Sequence, residues 1–165
     1  MKTEPLSLSA FCAHARKLGQ SLRGGELLLL HGSMGAGKTT FTRALAEGLA
    51  VDHPARVRSP TFSLCVTYPG PIPLMHLDLY RLDETGDVAT AAFEALGLDF
   101  DDLVRPNQVV AVEWASRWRD PPEDHLAVQF HISGAEYEHR IIEVIPHGRY
   151  AQQVLARWRQ ALGSP

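Results

Sequence analysis

With 165 residues, of which 45% are hydrophobic and 21% charged, the chain has the make-up of one soluble globular domain. A formal charge of -3 argues against a broad electrostatic grip on nucleic acid, and Cys12 and Cys65 are too few for a disulfide framework or a cysteine metal cluster. No apolar run approaches the roughly 20 residues of a membrane span, and Met1 to Pro5 does not lead into a signal-peptide core, so the expected setting is the cytoplasm, with no membrane contact.

Residues 7–22 read as an amphipathic helix. Ser7 or Ser9 caps its start, Leu8, Phe11, Cys12, Ala15, Leu18 and Leu22 form one stripe, and Gly24-Gly25 ends it. The run Leu27-Leu28-Leu29-Leu30 is a short buried strand of the parallel kind. It feeds directly into Gly32-Ser33-Met34-Gly35-Ala36-Gly37-Lys38-Thr39, which fits G-x-x-x-x-G-K-[ST]. Phe41, Ala44, Leu45 and Leu49 then mark a helix packed on a sheet.

The chemistry of a phosphate-binding loop requires those residue types. Glycines let successive backbone N–H groups turn inward around phosphate oxygens, where side chains would block approach. Lys38 brings a compact positive charge to the β- and γ-phosphates, the Thr39 hydroxyl suits an accompanying Mg2+, and the helix directs its positive end at the same place. The motif alone matches by chance in roughly one chain per few hundred of this length; the strand before it and the helix after it make it a nucleotide site.

Val51 to Arg58 is a polar connection. Ser59-Pro60-Thr61-Phe62 leads into a strand over 63–68, either as a plain loop or with Thr61 as a switch threonine that senses the γ-phosphate. Tyr68-Pro69-Gly70-Pro71 is turn chemistry, so the following run returns antiparallel. In that run Met75, Leu77 and Leu79 share one face and His76, Asp78 and Tyr80 the other, so the polar face meets solvent or lines a site. Residues 83–96 predict a helix buried through Val88, Ala91, Ala92, Ala95 and Leu96, followed by an acidic loop at 97–102.

Val109-Val110-Ala111-Val112 has the continuous apolarity of a central strand, and Glu113 ends it. Ligands of open α/β sheets sit beyond the carboxyl ends of strands, which brings Glu113 near the loop, where a carboxylate holds Mg2+ or its waters or orients the attacking water. Trp114 is either a pocket wall or ordinary core. Residues 126–132 and 139–145 form a hairpin turning at Ser133-Gly134-Ala135-Glu136, and the last helix, 149–162, packs through Tyr150, Val154, Trp158 and Leu162. The expected fold is α/β: a P-loop NTPase-like mixed sheet flanked by helices, with a C-terminal antiparallel hairpin, forming a single domain over 1–165. The eight histidines lack the spacing of a metal site, and His31 and His76 read as structural or supporting groups.

Four segments in order, Gly35-Ala36-Gly37-Lys38-Thr39-Thr40, Ser59-Pro60-Thr61-Phe62, His76-Leu77-Asp78-Leu79-Tyr80-Arg81 and Val112-Glu113-Trp114, resemble the bacterial TsaE family over about residues 8–145. The resemblance implies a small ATPase, weak alone, that uses ATP with Mg2+ and supports TsaB and TsaD in placing the threonylcarbamoyl group on adenosine 37 of tRNAs reading ANN codons, with tRNA contact indirect. It implies that Ser33, Met34, Gly35, Ala36, Gly37, Lys38, Thr39, Thr40 and Trp114 bind the nucleotide. It also implies Thr39 and Glu113 at the metal, with Lys38, Asp78, Glu113 and Thr61 as the catalytic set. The chain departs from the family pattern at Ser33-Met34, where an acidic residue and Leu are usual, and at Asp83 to Val88, where an acidic helix start is usual.

Two other functions compete. A small nucleoside or metabolite kinase needs an Arg-rich lid to exclude water, yet neither Arg nor Lys occurs between Arg81 and Arg105. A nucleotide-dependent scaffold with negligible turnover would use ATP only to stabilise one partner-binding shape.

Overall fold

The computed structural model describes residues 1–82, 88–99, 103, 105–134 and 138–163. Among them are helices α1 (Leu8–Ser21), α2 (Lys38–Gly48), α3 (Val88–Ala95) and α4 (Gly148–Leu162). The strands are β1 (Leu27–His31), β2 (Cys65–Tyr68), β3 (Leu74–Asp78), β4 (Val109–Glu113), β5 (His125–Ser133) and β6 (His139–His147).

The six strands form one sheet in the order β2-β3-β4-β1-β5-β6. β3, β4, β1 and β5 run parallel, while β2 and β6 pair antiparallel at the two edges, so the sheet is mixed as the sequence predicts. β1, β3 and β4 are buried on both faces except at His31, which is why they read as continuous apolar runs. Leu28, Leu30, Ala111, Val128 and Phe130 meet α1, α2 and α4 on one face; Leu27, Leu29, Val110 and Val112 meet Phe93 and Trp118 on the other.

Register places the chemistry. Leu30 and Asp78 both lie beside Glu113, so the end of β1 and the two acidic residues stand in one row across three neighbouring parallel strands. Behind that row Phe11, Phe41, Phe130 and Trp158 interlock, with ring centroids 5.0 Å apart for Phe41–Phe130 and 5.5 Å for Phe11–Phe130. α1 and α2 approach closely because Gly19 and Gly48 face each other: a Cβ on Gly19 would sit 2.3 Å from the Leu45 carbonyl oxygen.

Three expectations need correction. α3 is anchored by Phe93, 4% exposed and edge-on to Trp118 at 4.9 Å, whereas Ala91, Ala95 and Leu96 are exposed. One large ring removes more apolar surface from water than several methyl groups, so it sets the helix rotation. Leu8, placed on the core stripe of α1, is 64% exposed and lines a cleft beside Gly35 and Gly37 in place of the core. The strand predicted from residue 63 begins at Cys65, because residues 61–64 turn, with the Leu64 N–H bonded to the Pro60 carbonyl at 2.7 Å. The predicted helix start at 83–87, residues 100–102 of the acidic loop and Ala135-Glu136 of the hairpin turn lie outside the described residues.

Candidate functional site

β1 ends at His31 and the chain turns through Gly32, Gly35 and Gly37, whose φ values of 143°, 75° and 104° lie in the region that glycine alone enters without strain. Gly37 stands at the start of α2, and a Cβ there would press on the Phe11 ring at 3.2 Å. The glycines thus let the loop lie flat between α1 and the helix it opens.

Lys38 is 5% exposed. Its Nζ donates to the Gly32 and Ser33 carbonyls at 2.8 and 2.9 Å and stands 3.8 Å from the centroid of the Trp114 ring. Burial pushes the Lys38 ammonium below its ordinary pKa, with Glu113 and Asp78 pulling the other way. Trp114 is half-buried and leaves β4 with φ 58°, a left-handed conformation that costs a non-glycine residue about 1 kcal/mol. That turn lays the indole over Lys38, so Trp114 is a wall of the cavity.

The two acidic side chains are almost fully buried, Asp78 at 1% and Glu113 at 2%. Glu113 is held from both sides: Oε1 is 2.9 Å from His76 Nε2, and Oε2 accepts the Thr39 hydroxyl at 3.0 Å. Asp78 collects three donors, with Ser59 Oγ and Thr61 Oγ1 on Oδ2 and the Tyr80 N–H on Oδ1 at 2.9 Å. Thr61 therefore reaches the site by way of Asp78, 2.9 Å away.

These groups line one cavity of about 330 Å³ with Met34, Gly35, Gly37, Lys38, Thr39, Thr40, Ser59, Thr61, Tyr80 and Trp114 around the two carboxylates. Ser33 enters only through its carbonyl, and Ala36 is fully buried beneath the loop. A second cleft lies on the other side of the loop, sharing Gly35, Gly37 and Thr40 and walled by Leu8, Phe11, Glu138 and Arg140. Sequence reasoning did not single out Ser59, Arg140 or the tie from His76 to Glu113. For His76 the signal was its place two residues before Asp78 on the polar face of a strand.

The donor set fits a triphosphate with a divalent cation. Two buried carboxylates in register on adjacent strands repel each other unless cations balance them; Lys38 is the sole cationic side chain among the described residues lining the cavity. A Thr39 hydroxyl that gives its proton to Glu113 keeps its lone pairs for a metal. Among the described residues no cluster of three or more His, Cys, Asp or Glu could hold a metal; the pair Thr39 and Glu113 suits a cation that keeps waters and phosphate oxygens as its other ligands. No helix of the described residues is long and apolar enough to cross a membrane.

Known proteins resemble this chain in sequence and in fold. The family model "Threonylcarbamoyl adenosine biosynthesis protein TsaE" matches residues 7–142. A protein of Nostoc sp. named tRNA threonylcarbamoyladenosine biosynthesis protein TsaE is 39% identical over 112 residues, covering 67% of this chain and 65% of that relative, a little under two thirds of its length. A Streptomyces coelicolor protein of the same name is 40% identical over 119 residues, covering 69% of this chain and 74% of the relative. The crystal structure of Bacillus subtilis YdiB superposes with a TM-score of 0.76 at 26% identity, covering 97% of this chain and 94% of that one. The mixed sheet, its flanking helices and the family match over residues 7–142 make this chain a member of the TsaE family, whose relatives here are named for tRNA threonylcarbamoyladenosine biosynthesis.

Proposed function

We propose that this chain is a single-domain, cytoplasmic, Mg2+-dependent ATPase that acts with TsaB and TsaD in forming the threonylcarbamoyl group on adenosine 37 of tRNAs reading ANN codons, without touching tRNA itself. The observation that carries this reading is the convergence of Lys38, Thr39, Glu113 and Asp78 on one cavity at the carboxyl edge of the parallel strands.

The triphosphate lies along the amides of Gly35, Gly37, Lys38 and Thr39, and the base enters the second cleft against the exposed side chain of Leu8. Lys38 moves from the Gly32 and Ser33 carbonyls to the phosphate oxygens, exchanging two neutral acceptors for charged ones. Mg2+, when bound, neutralises charge that builds between the β- and γ-phosphates. Thr39 and Glu113 are the residues that would hold it, with Glu113 fixed in turn by His76. Asp78 accepts a hydrogen bond from the attacking water and so orients it, and Thr61, freed from Asp78, senses the γ-phosphate.

Phosphate release measured with and without TsaB and TsaD tests this reading. Slow release by the chain alone and faster release with both partners is the expected result. Rapid release indifferent to the partners, or transfer of phosphate to a nucleoside in place of free phosphate, contradicts it; the cavity's single cationic side chain among the described residues argues against the transfer.

His76 supplies a separate prediction. It is fully buried, and Nδ1 has no hydrogen-bond partner while Nε2 meets Glu113, so its polar contribution goes to the carboxylate. His76→Gln keeps a donor at that distance, whereas His76→Leu leaves Oε1 bare. Loss of such a supporting partner costs roughly ten- to a hundredfold in metal affinity or activity. A Mg2+ titration of hydrolysis should show that loss for leucine and most of the activity retained for glutamine; equal behaviour of the two variants contradicts the role.

A further inference from the structure

Arg140 lies on the edge strand β6, outside the segments that carry the family resemblance, yet its guanidinium reaches the phosphate loop. Nε donates to the Ala36 carbonyl at 3.1 Å and Nη2 to the Gly35 carbonyl at 3.0 Å, while Nη1 binds the His139 carbonyl at 2.9 Å. Its backbone is fixed on both sides. Arg140 pairs with Ile132 of β5, and it exchanges hydrogen bonds of 2.8 and 2.9 Å with Leu6, in the segment that leads into α1. Phe11 of α1 then backs Gly37.

We propose that Arg140 is a positioning residue that sets the phosphate loop in its binding shape before nucleotide arrives. The physical link is the planarity of the peptide unit. In a trans peptide the N–H points opposite to the C=O, so gripping the Ala36 carbonyl turns the Gly37 N–H away from β6. Gripping the Gly35 carbonyl likewise fixes the Ala36 N–H, which donates to the Ser33 carbonyl at 3.2 Å. The planar guanidinium serves both carbonyls at once from a fixed fork, which an ammonium on a flexible stem does not reproduce. A loop set in advance spends less binding free energy on ordering itself. The proposal rests on the reading of this site as a triphosphate site.

The test uses the full chain, with Arg140→Lys and Arg140→Met, and two probes: ATP with Mg2+, and inorganic tripolyphosphate, which has no base or ribose. Both variants should bind both probes roughly tenfold more weakly, a loss the size of one charged hydrogen bond, with the nucleotide-free melting temperature little changed. Amide exchange at Ala36 should rise in nucleotide-free Arg140→Lys. Arg140→Lys binding both probes as tightly as the unmodified chain overturns the proposal, as does a lowered melting temperature with affinity retained. Loss confined to ATP, with tripolyphosphate unaffected, assigns Arg140 to the nucleoside and overturns it too. If the unmodified chain binds neither probe, the triphosphate reading itself falls, a result distinct from all of these.

Discussion

Lys38→Ala lowers ATP affinity roughly a hundredfold, the loss expected from removing two charge-assisted hydrogen bonds worth about 3 kcal/mol together. Lys38 is the only cationic side chain among the described residues lining a cavity that also holds two buried carboxylates. Without it the triphosphate meets Asp78 and Glu113 with no fixed positive charge between, so repulsion adds to the lost attraction. The fold should survive, because the Lys38 ammonium contacts the Gly32 and Ser33 carbonyls and the Trp114 ring, all beside the cavity, where water can replace it. Calorimetric titration with ATP and Mg2+ checks this, with a thermal melt of each protein as the control. Unchanged affinity in a folded variant would remove the loop from the binding site.

Glu113→Gln and Asp78→Asn separate the two acidic residues. Both changes keep volume and remove charge. Preorganised groups acting on the charge of the transition state are each worth roughly a hundred- to a thousandfold in rate, and that is the expected fall in hydrolysis for either variant. They differ in metal dependence. Glu113 accepts the Thr39 hydroxyl at 3.0 Å, so Glu113→Gln should also raise the Mg2+ concentration needed for activity. Asp78 is tied instead to Ser59, Thr61 and the Tyr80 N–H, so Asp78→Asn should slow turnover at an unaltered Mg2+ requirement. Phosphate release at stepped Mg2+ reads both. A glutamine variant of normal rate and normal Mg2+ requirement would remove Glu113 from the metal. If both variants support tRNA modification without hydrolysing ATP, the chain works as a nucleotide-dependent scaffold.

Much of this site was legible in the letters because its parts obey local rules. A loop of fixed glycines must follow a buried strand and open a helix, and Leu27 to Leu30 and Phe41 to Leu49 have the periodicities that say so. Glu113 follows four apolar residues, so its place at a strand end near the loop came from pattern alone. The antiparallel return of β3 on β2 was visible in Tyr68-Pro69-Gly70-Pro71. What escaped depends on long-range register. Nothing near His76 in the chain says that β3 lies beside β4, so the bond to Glu113, 37 residues away, had no local sign. Arg140 acts on a loop 104 residues earlier through a strand at the far edge of the sheet. The rotation of α3 was misjudged for a different reason: Val88, Ala91, Ala92, Ala95 and Leu96 at helical spacing looked like a buried face, while the single Phe93 governs the packing.

The most direct measurement is a crystal structure of the chain with a non-hydrolysable ATP analogue and Mg2+. The account predicts phosphate oxygens within hydrogen-bonding reach of the Gly35, Gly37, Lys38 and Thr39 amides, Lys38 Nζ moved from the Gly32 and Ser33 carbonyls onto the phosphates, and the cation between Thr39 and Glu113. A nucleotide bound elsewhere, or a cation seated away from Thr39 and Glu113 while Lys38 keeps its two carbonyls, would contradict it.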